Sequence, residues 1–162
     1  MTTAHAAKKT LVEGTWTTEQ KQEKTATLFA ATNMNVMKVL EKHGPEALKE
    51  FQTAINNQKH EFLTKAGVKT PMELVKHLAE FETNLFGSKI EITGDDHTAS
   101  MTYLHCGMWE AMQKACNMTE EKACEMGKGW EACLNETATK LGMKAKLEMG
   151  ADKKTPTITF TK

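Results

Sequence analysis

The sequence predicts an α+β domain: an antiparallel sheet of about four strands from two hairpins, packed by about five helices in the order ααα-ββ-αα-ββ. Three observations carry this. Apolar residues recur at helical spacing through the first half of the chain. The period drops to two around residues 89–103 and again around 143–160, and a second helical stretch lies between these two segments. A length of 162 residues suits one domain with a real core, expected over 17–162, with 1–16 as a small, polar, threonine-rich tail.

The first helix runs roughly from Thr17 to His43, with Phe29, Val36 and Leu40 on one face. Gly44-Pro45 ends it and starts the next, because proline suits the first helical position. Leu48, Phe51, Ile55 and Phe62 mark the second helix, and Gly67 closes it. Thr70-Pro71-Met72-Glu73 reads as a capping box, followed by the stripe Leu74, Leu78, Phe81 and Leu85, with Gly87 as terminator.

Lys89-Ile90-Glu91-Ile92-Thr93 then alternates polar and apolar. Gly94-Asp95-Asp96 is turn chemistry, and Ala99, Met101 and Tyr103 continue the alternation on a return strand. A short helix after Cys106 carries Trp109, Met112 and Cys116. Thr119 caps a longer helix to about Leu141, in which Gly127 and Gly129 signal a bend or the close approach of another group. The second hairpin pairs Met143–Met149 with Thr157–Thr161, turns at Gly150-Ala151-Asp152, and points Ile158 and Phe160 inward.

Composition narrows the function. Twenty-one basic and 21 acidic residues cancel, so no global field recruits nucleic acid or anionic lipid. Every basic residue is lysine, so the bidentate arginine clamp for carboxylate or phosphate is absent. No apolar run is long enough to span a membrane, and the N-terminus lacks the apolar core of a signal peptide, so a cytoplasmic location is expected. The cysteines at 106, 116, 124 and 133 should then be reduced. Their separations of 10, 8 and 9 residues contain no CxxC pair, which argues against a zinc ribbon or a thioredoxin-type motif.

Cys106 is the leading candidate for chemistry. It lies at an expected strand-to-helix junction, where unpaired N–H groups and the helix dipole favour a thiolate. Its roles would be nucleophile or metal ligand; the bland alternative is a small buried side chain at a tight turn. Cys124 is its natural partner, since two thiols from different helices could hold a soft metal, form a redox pair or flank a ligand. His105 is a further metal ligand in that reading, although alternation turns it away from Cys106. Tyr103, Trp109 and Trp130 could wall a cavity, or simply fill a core. Glu131 shares a helix face with Cys124 and could serve a ligand, or be merely solvated. Cys116 and Cys133, on faces rich in alanine and methionine, read as packing. The 11 methionines suit a plastic apolar pocket and equally an ordinary core.

The hairpin into Cys106, the helix with Trp109, Ala123-Cys124 early in the next helix and the closing hairpin Met143 to Phe160 resemble a known family, over roughly residues 25–162. That family is the L-2-amino-thiazoline-4-carboxylic acid hydrolase-like proteins, related to 4-vinyl-reductase-type small-molecule-binding domains. Members often carry a cysteine on the last strand, where this chain has Thr157-Ile158-Thr159-Phe160. The resemblance implies an α+β fold, and the two cysteines on converging junctions amid tryptophan, tyrosine and methionine point to a small-molecule pocket between sheet and helices, the thiols of Cys106 and Cys124 at its polar end. It also implies an alternative, a hydrolase of a C–N bond in a thiazoline- or amide-type substrate, with Cys106 attacking and the helix-start N–H groups holding the oxyanion. A carrier or sensor of a soft transition metal or haem is a third expectation, resting on the supply of cysteine, histidine and methionine. The partner expected in each case is a small molecule, and an uncovered sheet face or edge would favour a homodimer.

Overall fold

The computed structural model describes residues 14–116, 120–150 and 155–162, with 116 and 120–126 described by backbone alone. Its elements are α1 (Thr18–Lys42), α2 (Pro45–Lys65), α3 (Pro71–Phe86), β1 (Lys89–Gly94), β2 (Thr98–His105), α4 (Gly107–Cys116), α5 (Glu120–Lys140), β3 (Lys144–Met149) and β4 (Pro156–Thr161). The predicted order holds. Thr119 and the turn residues Ala151 and Asp152 lie outside the described residues, as does most of the predicted tail.

Local chemistry sets the helix boundaries. At α1 the Thr17 hydroxyl accepts from Gln20 N at 3.3 Å while the Gln20 side chain accepts from Thr17 N at 3.0 Å, a capping box. At α3, Thr70 and Glu73 form the expected box, and Glu73 Oε2 also accepts from Lys69 N at 2.8 Å. These backbone donors hold the Glu73 carboxyl below the usual carboxylate range. Gly87 ends α3 at φ 68°, a left-handed conformation that glycine adopts without penalty.

The strands form one antiparallel sheet in the order β1-β2-β4-β3, so the two hairpins meet along β2 and β4. Ala99, Met101, Tyr103, Ile158 and Phe160 are buried on one face. They pack with Leu74 and Val75 of α3, Leu134 and Ala138 of α5, and Leu63 of α2. The opposite face carries hydroxyls: Ser100 bonds Thr159 at 2.8 Å, and Thr102 bonds Thr157 at 3.0 Å. Period-two alternation thus sends apolar side chains to the helices and hydroxyls to water.

A second, smaller core joins Ala26 and Ala30 of α1 to Phe86 of α3 and Ala111 of α4, with Met108 and Met112 beside it. Alanines at the crossing let α1 and α4 pack closely. Phe86 also meets Phe29 at 5.4 Å and Phe81 at 5.7 Å between ring centroids. α2 is tied to α5 by polar contacts: Asn56 donates to Glu136 and accepts from the Cys133 thiol at 3.2 Å, and Lys140 reaches Asn57 at 2.7 Å. Cys133 is therefore a hydrogen-bonded packing residue rather than a free thiol in hydrocarbon. The close approach of another group, one of the two readings of Gly127 and Gly129, is not found among the described residues. α5 runs unbroken through both, and a Cβ at either would meet open space among the described residues.

Candidate functional site

The two cores meet where β2 passes into α4. β1 and β2 pair in regular register from Gly94↔Ala99 to Ile90↔Tyr103, then slip so that Lys89 faces His105 and Leu104 is left over. A bulge of this kind re-aims the side chains that follow it. Leu104 points to solvent, and His105 Nδ1 lies 3.1 Å from Glu110 Oε1 in the first turn of α4.

Cys106 then starts the helix. Its sulfur accepts from Trp109 N at 3.4 Å, and the thiol plays the part that serine or aspartate usually plays at a helix N-cap. Gly107 N donates to the Ser88 hydroxyl at 3.1 Å, and Ser88 in turn donates to Glu82 Oε2 at 3.3 Å. Gly107 has no substitute, because a Cβ there would collide with the carbonyl of Phe86. The end of α3 and the start of α4 are thus pressed backbone to backbone, with the Glu82–Ser88 pair beside the contact.

The electrostatics oppose the thiolate that sequence predicts. Burial pushes the Cys106 thiol up to about 11. The N–H groups of Trp109 and Met108 pull the other way, while the charges of Glu82 and Glu110 add to the rise. Desolvation outweighs the helix start, and Cys106 is a neutral thiol at physiological pH. The helix-start donors expected to hold an oxyanion are also engaged, Gly107 N by Ser88 and Trp109 N by Cys106 itself. Both facts weigh against a cysteine nucleophile here.

Glu82 is partly buried and its carboxyl is raised by that burial, with the Ser88 hydroxyl and the Lys59 charge acting in the opposite direction. The Tyr103 phenol is pushed up by burial and then by the charges of Glu82 and Cys106. Tyr103 packs edge-on against Trp130 at 5.8 Å. The structure therefore brings Tyr103, Cys106 and Trp130 into one core, with Trp109 partly buried at the start of α4. Glu131 is exposed on α5. The Cys124 side chain lies outside the described residues, as does that of Cys116. Among the described residues no three of His, Cys, Asp or Glu converge as a metal site. His105 and Cys106 are turned to different partners.

A groove opens on the other side of the Gly107 backbone, with a volume of about 210 Å³. Ala26, Phe86 and Ala111 form its floor, and Glu19, Glu23, Glu110 and Lys114 stand on its rim, with Gln22 and His105 between. It lies between α1 and α4, at the predicted junction. It does not reach Tyr103 or Trp130, which are packed against each other in the sheet core.

No protein-family model matches this chain, and no curated protein matches it. Among solved structures, the chain is similar to a mutant of an Fe(II) unliganded H-NOX protein from K. algicida, at 13% identity over 91% of this chain and 74% of that one. The TM-score is 0.37, too low for the likeness to carry an argument about fold or ligand. No helix among the described residues is long and apolar enough to cross a membrane.

Sequence reasoning missed Glu82, Ser88 and Gln22. Glu82 left a signal: it shares the helical face of the buried Val75 and Phe86, so an acid stands on an apolar stripe. Ser88 is 1% exposed, and its burial follows from the α3–α4 contact, which is tertiary and invisible along the chain. Gln22 sits on an exposed stretch of α1, and only the fold brings it to the end of α3, where it donates to Thr83 O at 3.0 Å.

Proposed function

We propose that this chain is a small-molecule-binding domain and that its ligand sits in the groove at the β2–α4 junction, between α1 and α4. One observation carries the reading: a concave site of about 210 Å³ with an apolar floor and a titratable rim, built where three elements are locked together. Apolar floors with a few placed polar groups are the usual make-up of ligand sites. The locked backbone beneath it supports the same reading, since Gly107, Phe86 and Ser88 hold the floor rigid. Cys106 serves as a cap in this arrangement and is not assigned as a nucleophile.

The test is a two-dimensional amide NMR titration of the intact chain against a panel of small aromatic fragments. Shifts are expected to cluster at Gln22, Phe86, Gly87, Gly107 and Ala111. Thr27→Trp, at an exposed rim position, should fill the groove and abolish them while leaving the rest of the spectrum unchanged. Shifts scattered over the surface, or untouched by Thr27→Trp, would remove the reading.

A further inference from the structure

We infer that the groove between α1 and α4 selects a small apolar molecule bearing an amine, with the ammonium held at the rim by Glu23 and Glu19. This rests on the groove being the ligand site, and adds the chemical class of what it takes.

Donors and acceptors at the groove do not balance. Gln22 lies in the middle of the groove, and its amide NH₂ is spent on the carbonyls of Thr83 at 3.0 Å and Asn84 at 3.4 Å, which cap the end of α3. That fixes the amide orientation and leaves Gln22 Oε1 beside Gly87 as an acceptor. Backbone donors nearby are engaged: Gly107 N is taken by Ser88. His105 Nδ1 faces Glu110. Glu23 makes no ion pair among the described residues, and neither does Glu19, whose carboxylate already accepts from its own backbone N–H and the Thr17 hydroxyl at the start of α1. Among the described residues Lys114 is the one lysine on the rim, against three glutamates. The groove therefore offers acceptors and negative charge, and it is short of donors.

A ligand that matches this surface must bring donors and positive charge. An ammonium brings three donors and one charge, and charge-assisted hydrogen bonds to carboxylate are the stronger kind. Phe86, in tilted contact with Phe29, lies at the apolar base of the groove beside Ala26 and Ala111. A carboxylate or phosphate ligand would meet like charge and find, among the described residues, a single lysine at Lys114, with no arginine anywhere in the chain.

The experiment compares three probes of one shape, phenethylamine, 2-phenylethanol and phenylacetate, by NMR titration of the full chain at low and moderate salt. Phenethylamine should bind at the groove about tenfold more tightly than the alcohol, and phenylacetate most weakly. Glu19→Gln with Glu23→Gln should bring the amine down to the level of the alcohol while leaving the alcohol unchanged; both residues are exposed, so the fold is retained. Alcohol or acid binding at the groove as tightly as the amine would overturn the amine selectivity and leave the groove as a binding site. Failure of all three to shift groove residues would overturn both.

Discussion

Around the sheet, Leu74, Val75, Met101, Ala138 and Phe160 are all sealed from water, whereas α1, 25 residues long, buries only Ala26 and Ala30, and α2, 21 residues long, buries only Asn56 and Leu63. Large apolar side chains on these two helices stay open: Leu28 is 70% exposed and Phe62 is 60% exposed. The sheet half is held by burial, which scales with apolar area removed from water. The helical half is held by a small alanine crossing, a three-ring aromatic contact, a polar tether from Asn56 to α5 and the single side chain of Leu63, which α2 sets into the sheet core. The junction at Gly107 joins them, and the groove lies on the loosely buried side. A rigid layer thus carries a less buried one, which is the arrangement in which local opening is confined to one part of a molecule.

The largest test of that contrast compares two phenylalanines. Phe160→Ala empties the centre of the sheet core and should cost about 3–5 kcal/mol in urea unfolding. Phe62→Ala removes a side chain already mostly in water and should cost under about 1 kcal/mol. Equal losses would mean that the Phe62 face of α2 is covered in solution.

Two glycines sharpen it next. Gly107→Ala drives a Cβ into the Phe86 carbonyl and should destabilise by about 1–3 kcal/mol or more, with loss of amide signals at both Ser88 and Trp109. Gly129→Ala adds a methyl facing open space in a helix and should gain up to about 1 kcal/mol. A loss at Gly129 would revive the close approach that the sequence suggested there.

Between these effects lies the ionisation of the junction. Glu82 has a folded pKa above its ordinary 4.5, so the folded chain holds this proton more tightly than the unfolded one. Its contribution favours folding below pH 4.5 and is lost as pH rises from there through the raised value. Glu73 and Asp95, held low by backbone donors, do the reverse. The quantity to measure is therefore the stability of the wild type minus that of Glu82→Gln, followed from acid to neutral pH. It should fall as pH rises; a flat difference would mean that Glu82 is solvated. The Cys106 thiol gives a kinetic counterpart. With its pKa moved from 9.0 to about 11, its alkylation by iodoacetamide near pH 8, read by peptide mapping, should be about a hundredfold slower than that of an unfolded peptide thiol.

These contrasts also explain what could be read along the chain. The hairpins, the capping box at Thr70 and the breaks at Gly44-Pro45 and Gly87 were legible because each is a local signal of a few residues. Burial was legible on β2 and β4, where alternation leaves one choice of face, so Met101, Tyr103, Ile158 and Phe160 point inward as expected. On α1 and α2 the same kind of apolar stripe misled, since Ile55 and Phe62 remain about half exposed. A helical stripe says which face could be buried, not whether anything covers it. The junction was legible as a place, and the thiolate expected there is opposed by its surroundings. Helix-start donors favour a thiolate only where solvent or counter-charge helps, and at Cys106 burial and two carboxylates prevail. The bulge at Leu104 and the Ser88–Gly107 bond depend on partners far along the chain, and no spacing announces them.

The smallest effect is expected on the open face of the sheet. Ser100 and Thr159 pair their hydroxyls at 2.8 Å across the central strands, and Thr102 and Thr157 do the same at 3.0 Å. Cross-strand hydroxyl pairs contribute only a few tenths of a kcal/mol to about 1 kcal/mol, because water can replace either partner on an uncovered surface. Thr159→Val keeps the β-branch that suits a strand and removes one hydroxyl, so the unfolding free energy should move by no more than about 0.5 kcal/mol. On the adjacent position Ile158→Thr makes the mirror change, placing a hydroxyl on the buried face among Met101 and Leu147, and should cost about 1–3 kcal/mol. A large loss at Thr159 would mean that the hydroxyl face is covered in solution, by a second copy of the chain for instance, and sedimentation of wild type against Thr159→Val would then show the assembly and its dissolution.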